Sequence, residues 1–150
     1  MKTHKITLTL VAALFYIIAF AQQVSTENVP EEVQSAFREK FPAASSITWG
    51  VEPNGNFEAK FMMANNNQRA EFDAHGKWIE TENSIPTTQL PANVHDAVMK
   101  ACPTCKITDA EKVQTALGDM YEVGCMVGKN KQDIRVSSTG KVQKKIERKY

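Results

Sequence analysis

The chain has 150 residues, 18 Lys and Arg against 17 Asp and Glu, a formal charge of +1 and 42% hydrophobic residues. So even a balance excludes the strongly basic surface that nucleic-acid binding draws on. The length suits one domain with a single core once an N-terminal targeting segment is set aside.

Residues 1–21 read as a signal peptide. Lys2 and Lys5 form a basic start, residues 6–20 are apolar, and Ala19-Phe20-Ala21 is a small-x-small cleavage site. The apolar stretch is shorter than the roughly 20 residues of a membrane span, so cleavage after Ala21 is expected, with no stable membrane anchor afterwards. No cysteine follows the cleavage point to carry a lipid, and the expected location is the periplasm or the medium. Loss of Lys2 and Lys5 takes the charge from +1 to +1 − 2 = −1. The halves differ: residues 22–89 hold ten acids and five bases, residues 90–150 seven acids and eleven bases. The run Lys141, Lys144, Lys145, Arg148 and Lys149 makes most of that excess and reads as a solvated strand and tail.

Residues 22–28 read as a polar linker, and the folded domain as 29–150. Pro30 opens a helix over 30–40, because proline at the first turn forfeits only an N–H that has no partner anyway, and Glu31 and Glu32 suit the positive end of the dipole. Val33, Ala36, Phe37 and Phe41 recur at spacings of three and four, one apolar stripe, and Pro42 ends the helix. Segments of period two follow. Ile47, Trp49 and Val51 alternate with polar neighbours, Pro53-Asn54-Gly55 turns the chain, and Phe57, Ala59, Phe61 and Met63 alternate with Glu58, Lys60 and Met62. A third strand over 69–73 and a fourth over 77–82 are separated by the His75-Gly76 turn.

The pattern then recurs. Pro30, Val33, Ala36, Phe37, Phe41 and Pro42 match Pro91, Val94, Ala97, Val98, Cys102 and Pro103 at an offset of 61. Beyond the helix the offset is 64, so that Phe57-Glu58-Ala59 falls on Tyr121-Glu122-Val123 and Gly76-Lys77 on Gly140-Lys141. The second helix is expected over 91–101, with turns at Leu117-Gly118-Asp119, Lys129-Asn130 and Thr139-Gly140. The expected fold is α+β: two tandem repeats, 29–85 and 90–150, each a helix followed by a four-stranded antiparallel meander, joined in one sheet of eight strands with the helices on one face and the other open to solvent.

The Phe41-Pro42-Ala43-Ala44 helix end, the Ile47-x-Trp49 strand, Phe57-Glu58-Ala59 and Gly76-Lys77-Trp78, all duplicated behind a signal segment, resemble the PepSY-like, beta-lactamase-inhibitor-like family. The resemblance spans residues 29–150. It implies a tandem helix-plus-sheet scaffold whose concave sheet grips another protein, and no catalytic signature comes with it.

Cys102-Pro103-Thr104-Cys105 has the spacing of a thiol-exchange motif, and a thiol–disulfide redox protein is the alternative reading. Redox motifs place the attacking cysteine at a helix N-terminus, whereas Cys102 closes the second helix, where the dipole opposes a thiolate. The repeat suggests a structural role. Cys102 takes the place of Phe41 and Cys125 that of Phe61, so a helix-to-sheet bridge between them is expected if the two phenylalanines touch, with Cys105 to Cys125 as the competing pairing. No histidine has a partner at a metal-ligand spacing, Asp and Glu are scattered singly, and although Cys102 and Cys105 with Met99 make a soft copper site on paper, Met99 on a short helix reads as a core or rim residue, so no metal or cofactor is expected.

The expected site is the open sheet face, carrying Glu58, Lys60, Met62, Arg69 and Glu71 in the first half and Glu122, Met126 and Arg135 in the second. Its partner is an unidentified protein or peptide, and the function non-enzymatic binding or inhibition. Trp78 and Ile79 are both apolar, which leaves their facing open; outward, Trp78 becomes an anchor for the partner.

Overall fold

The computed structural model describes residues 22–148. They form one antiparallel sheet of nine strands and two α-helices: β1 (Gln22–Val24), α1 (Glu31–Lys40), β2 (Ser45–Val51), β3 (Phe57–Met63), β4 (Asn66–Phe72), β5 (Trp78–Ile85), α2 (Ala92–Ala101), β6 (Lys106–Thr115), β7 (Gly118–Val127), β8 (Asn130–Ser137) and β9 (Val142–Arg148). Sheet order equals chain order, so each strand pairs with its sequence neighbours. The signal-peptide reading falls on residues 1–21, outside the described residues, among which no helix is long and apolar enough to cross a membrane.

Both helices start and stop as the prolines dictate. Pro30 and Pro91 are the N-caps, φ −52° and −57°, and their carbonyls accept from the N–H of Gln34 at 3.1 Å and of His95 at 2.9 Å. At the other end the Phe41 and Cys102 N–H groups donate to Phe37 and Val98 carbonyls, and the following prolines forbid another turn.

Each helix lays its apolar stripe on the same side of the sheet. Phe37 is the hub of the first core, its ring 5.4, 5.3, 5.1 and 6.2 Å from those of Phe41, Trp49, Phe61 and Phe72. Val94 and Val98 pack instead on Val123, Cys125, Ile134 and Val136, so the second core is aliphatic and sulfur-lined where the first is aromatic. Hairpin turns close onto the helix starts. A Cβ on Gly76 (φ +80°) would lie 2.6 Å from the Glu32 carbonyl oxygen, and one on Gly140 (φ +84°) 3.0 Å from that of Asn93, so both turns rest their backbone directly on the first helical turn.

Several expectations are corrected. Residues 22–28 are no linker: β1 pairs with Trp49, Gly50 and Val51 of β2, giving a ninth strand, and Val29 is buried. Three mostly polar residues carry no period-two signal, and their place is set by backbone bonding to an edge that would otherwise be bare. Ile47 is 40% exposed instead of facing the core with Trp49, because the register of β2 against β3 shifts between Ser45 and Thr48, with Ser46 at φ 53°. A bulge puts one residue out of the alternation, which a strict two-residue period does not foresee. Trp78 lies opposite Phe72 and packs against the first core, on the helix side; its Nε1–H donates to Thr81 Oγ1 at 2.9 Å and Lys40 Nζ stands 3.7 Å above its ring.

Candidate functional site

The face opposite the helices collects charge because strand alternation sends every second residue there. Cross-strand register lines them up in rows. Glu58, Glu71 and Glu80 form one row; Lys60, Arg69, Glu82 and Val113 the next; Ser84, Glu111, Glu122, Arg135 and Lys144 a third. Glu58 opposite Glu71, Glu71 opposite Glu80 and Glu111 opposite Glu122 are like charges in direct apposition, which costs stability unless a cation intervenes.

Two arginines intervene. Arg69 on β4 donates from Nη2 to Glu82 Oε2 at 2.6 Å and Glu111 Oε2 at 2.5 Å, and its Nε stands 4.0 Å from Glu58. Arg135 on β8 donates from Nε to Glu122 at 2.6 Å, grips Glu80 with both Nη atoms at 3.0 and 3.1 Å, and reaches Glu82 Oε1 at 3.1 Å. Glu82 is the shared carboxylate, one oxygen on each arginine. In a flat sheet β8 and β5 would be about 14 Å apart, three strand spacings, so contacts near 3 Å require both side chains to extend towards each other along the face. Two clefts hollow this face. Arg135 crosses β7 and β6 on its way, which accounts for Val113 being wholly buried on a face otherwise polar.

The cations are outnumbered. Burial, with Glu111, Glu80 and Glu122 nearby, outweighs Arg69 and pushes the Glu82 carboxyl up from its usual 4.5 to about 7. Glu52 is also raised, by burial first and then by Glu58 and Glu71. Burial alone would lower the Arg135 guanidinium, but its bonds to Glu80 and Glu122 hold it above the usual arginine range. A cleft of about 180 Å³ opens among Glu52, Glu58, Glu71, Glu80, Glu82 and the two arginines. Beside it a groove of about 490 Å³ runs past Lys60, Met62, Arg69 and Glu82. A part-desolvated surface with surplus carboxylate oxygens is built to accept hydrogen bonds and positive charge.

Of the residues expected at the site, Glu58, Lys60, Arg69, Glu71, Glu122 and Arg135 converge on this face. The face is less open than expected, since the Glu58 and Glu122 side chains are only 15% and 17% exposed. Met62 lines the groove, and Met126 stands half-buried opposite Lys131, away from the arginine network. Trp78 belongs to the other side. Sequence reasoning missed Glu80, Glu82 and Glu111. The i, i+2 spacing of Glu80 and Glu82 on the strand hairpin-linked to Arg69 was a usable signal for the first two.

The three cysteines are buried thiols. Phe41 and Phe61 do touch, ring centroids 4.7 Å apart, and Cys102 and Cys125 share the corresponding cluster of the second half. Burial, followed by the neighbouring Cys105 thiol, pushes Cys125 up to about 12 and raises Cys102.

Residues 55–144 match the beta-lactamase-inhibitor-like, PepSY-like family. No curated protein matches the chain. Among solved structures, a protein from Bacteroides eggerthii named as periplasmic is similar at TM-score 0.70 and 19% identity, over 79% of this chain and 88% of that one. A DUF2874 family protein from Bacteroides uniformis gives the same values. A BLIP-like protein from Bacteroides fragilis is similar at TM-score 0.65 and 20% identity, over 79% and 85%. At these identities the likeness establishes the fold alone.

Proposed function

The chain belongs to the PepSY-like family, and from that premise we propose that it is a non-enzymatic, exported binding module that holds another protein on its concave sheet face. The observation that carries this reading is the charge surplus of that face: carboxylates gathered around Lys60 and two arginines too few to neutralise them, with Glu82 raised to about 7 by burial first and by its carboxylate neighbours after it. The partner this chemistry favours is a protein segment bearing Lys or Arg, whose cations would complete the rows that Arg69 and Arg135 leave open. The same surplus repels nucleic acid. A periplasmic location follows from the reading of residues 1–21 and accords with the naming of the B. eggerthii neighbour.

We read the two halves as copies of one module. Several features support this: a helix and four strands in each, glycine turns resting on equivalent helix positions (Gly76 on Glu32, Gly140 on Asn93), and register shifts at Glu71/Phe72 and Arg135/Val136, again 64 apart. The redox alternative gains no support, because Cys102 and Cys105 are buried at a helix C-terminus and burial raises the Cys102 thiol, the opposite of an activated pair.

The test is photo-cross-linking in cells from cross-linkers at Met62 and Lys144 on the concave side and at Ser35 on the helix side, with and without a high-salt wash before illumination. Protein adducts from the concave positions only, weakened by salt, are expected. Adducts confined to Ser35, or insensitive to salt, move the binding face elsewhere.

A further inference from the structure

Three sulfurs converge under the end of α2. Cys102, Cys105 and Cys125 are 5%, 8% and 0% exposed and pack in one cluster with Val94, Val98 and Ile134. The Cys105 N–H donates to the Cys102 carbonyl at 3.2 Å, a tight turn that carries the chain from the helix into β6 and folds Cys105 back beneath it. Cys125 on β7 is paired with Ile107 of β6, two residues beyond Cys105, so Cys105 and Cys125 are diagonal neighbours on the helix-facing side. Burial first, and then the Cys105 thiol, raises both other thiols, and Cys102 adds to the shift of Cys125 after Cys105 does.

In the first half the matching space is filled by the contact of Phe41 with Phe61, and Ala44 stands where Cys105 does. The second half has lost both rings and gained three sulfurs. We propose that Cys105 and Cys125 form a disulfide when the chain folds in the presence of a disulfide donor, leaving Cys102 as a buried thiol. Each of the two thiols gives up its proton, the Sγ–Sγ bond forms, and the two electrons reduce the donor, oxidised glutathione or an envelope dithiol oxidase, to its own thiols.

The geometry distinguishes this pairing from the others. The register sets Cys105 diagonally across from Cys125, and a bridge from Cys102 to Cys105 would tie together a turn already closed by a backbone bond. The Cys105 to Cys125 bridge staples the α2–β6 junction to β7 across the hairpin and replaces the cohesion of the lost aromatic pair. Burial makes the timing specific. Folded, both thiols are sealed from solvent and burial raises that of Cys125, so the bond closes during folding, before β7 packs beneath the helix, and thereafter resists mild reductant.

The proposal rests on the export reading for its oxidant, and two preparations of the full chain separate the two ideas. Protein recovered from the envelope is alkylated, digested and mapped; in parallel, chain purified under reducing conditions is refolded against oxidised and reduced glutathione. Both are expected to be lighter by two hydrogens than the fully reduced chain, with a Cys105–Cys125 peptide and Cys102 alkylated only after denaturation. Reduction under denaturing conditions followed by refolding should lower the melting temperature by roughly 10 °C. Cys102→Ser retains the bridge, and Cys105→Ser and Cys125→Ser each abolish it. A bridge in refolded protein with three thiols in cells overturns the export reading and leaves the pairing standing. A bridge to Cys102, or three thiols in both preparations, overturns the pairing, and mapping of the unaltered chain decides this even if the variants do not fold.

Discussion

Replacing Glu82 by glutamine tests the idea that the concave face carries more negative charge than it can neutralise. Glu82 is bound by two arginines, and a count of ion pairs would make its loss costly. Its raised pKa says the reverse. In the folded chain the carboxyl holds its proton up to about pH 7, against 4.5 when exposed, so between those values the folded state binds more protons than the unfolded one. The contribution is therefore fully present below about pH 4.5 and is lost as the pH rises through about 7. The difference of 2.5 units corresponds to about 3.4 kcal/mol at most. The side chain is 14% exposed, and a glutamine amide forfeits one acceptor towards the arginines, so a net gain of about 1–2 kcal/mol is expected for Glu82→Gln at about pH 8. At about pH 4.5, where the native carboxyl is already protonated, the two proteins should agree within about 0.5 kcal/mol. Urea unfolding followed by tryptophan fluorescence at both pH values reads this directly. If the variant is less stable than the parent at pH 8, the ionised carboxylate is a net-favourable partner of Arg69 and Arg135, and the argument for a charge surplus fails.

Other substitutions probe the surrounding structure. Arg135→Gln removes the fork holding Glu80, Glu82 and Glu122 and leaves those carboxylates facing one another; a loss of about 2–4 kcal/mol is expected, larger at pH 8 than at pH 5 by chemical denaturation. Phe37→Ala opens a void among four aromatic rings and should cost about 3–5 kcal/mol, whereas Val98→Ala at the matching place in the aliphatic core should cost less in the same assay. Gly76→Ala combines a positive φ with a Cβ 2.6 Å from a backbone oxygen, and Gly140→Ala a similar φ with a contact of 3.0 Å. Each strains the backbone by about 1–2 kcal/mol, so Gly76→Ala should melt lower than Gly140→Ala, and equal melting points would refute the close approach.

Local signals along the chain set both helices and the eight longer strands in their order. Prolines at 30, 42, 91 and 103 bound the helices because a missing N–H and a restricted preceding residue act locally, and period-two segments with Gly and Asn turns mark strands for the same reason. The charged face was legible too, since alternation alone puts Glu58, Arg69, Glu122 and Arg135 on the side away from the helix stripe. What waited for the tertiary structure depends on distances between strands remote in sequence. β1 exists because the edge of β2 lies beside it, and Ile47 is turned outward by a bulge that only pairing with β3 produces. Side-chain reach across the sheet decided the rest: Arg135 meets Glu80 and Glu82, 55 and 53 residues away in sequence, over the two strands between them. That reach gathers carboxylates from β3, β5, β6 and β7 around two arginines, turning an ordinary alternating surface into a part-buried acidic groove. The cysteines follow the same division. Repeat alignment found the space they share, and the tertiary structure buries all three in one cluster beneath the end of α2.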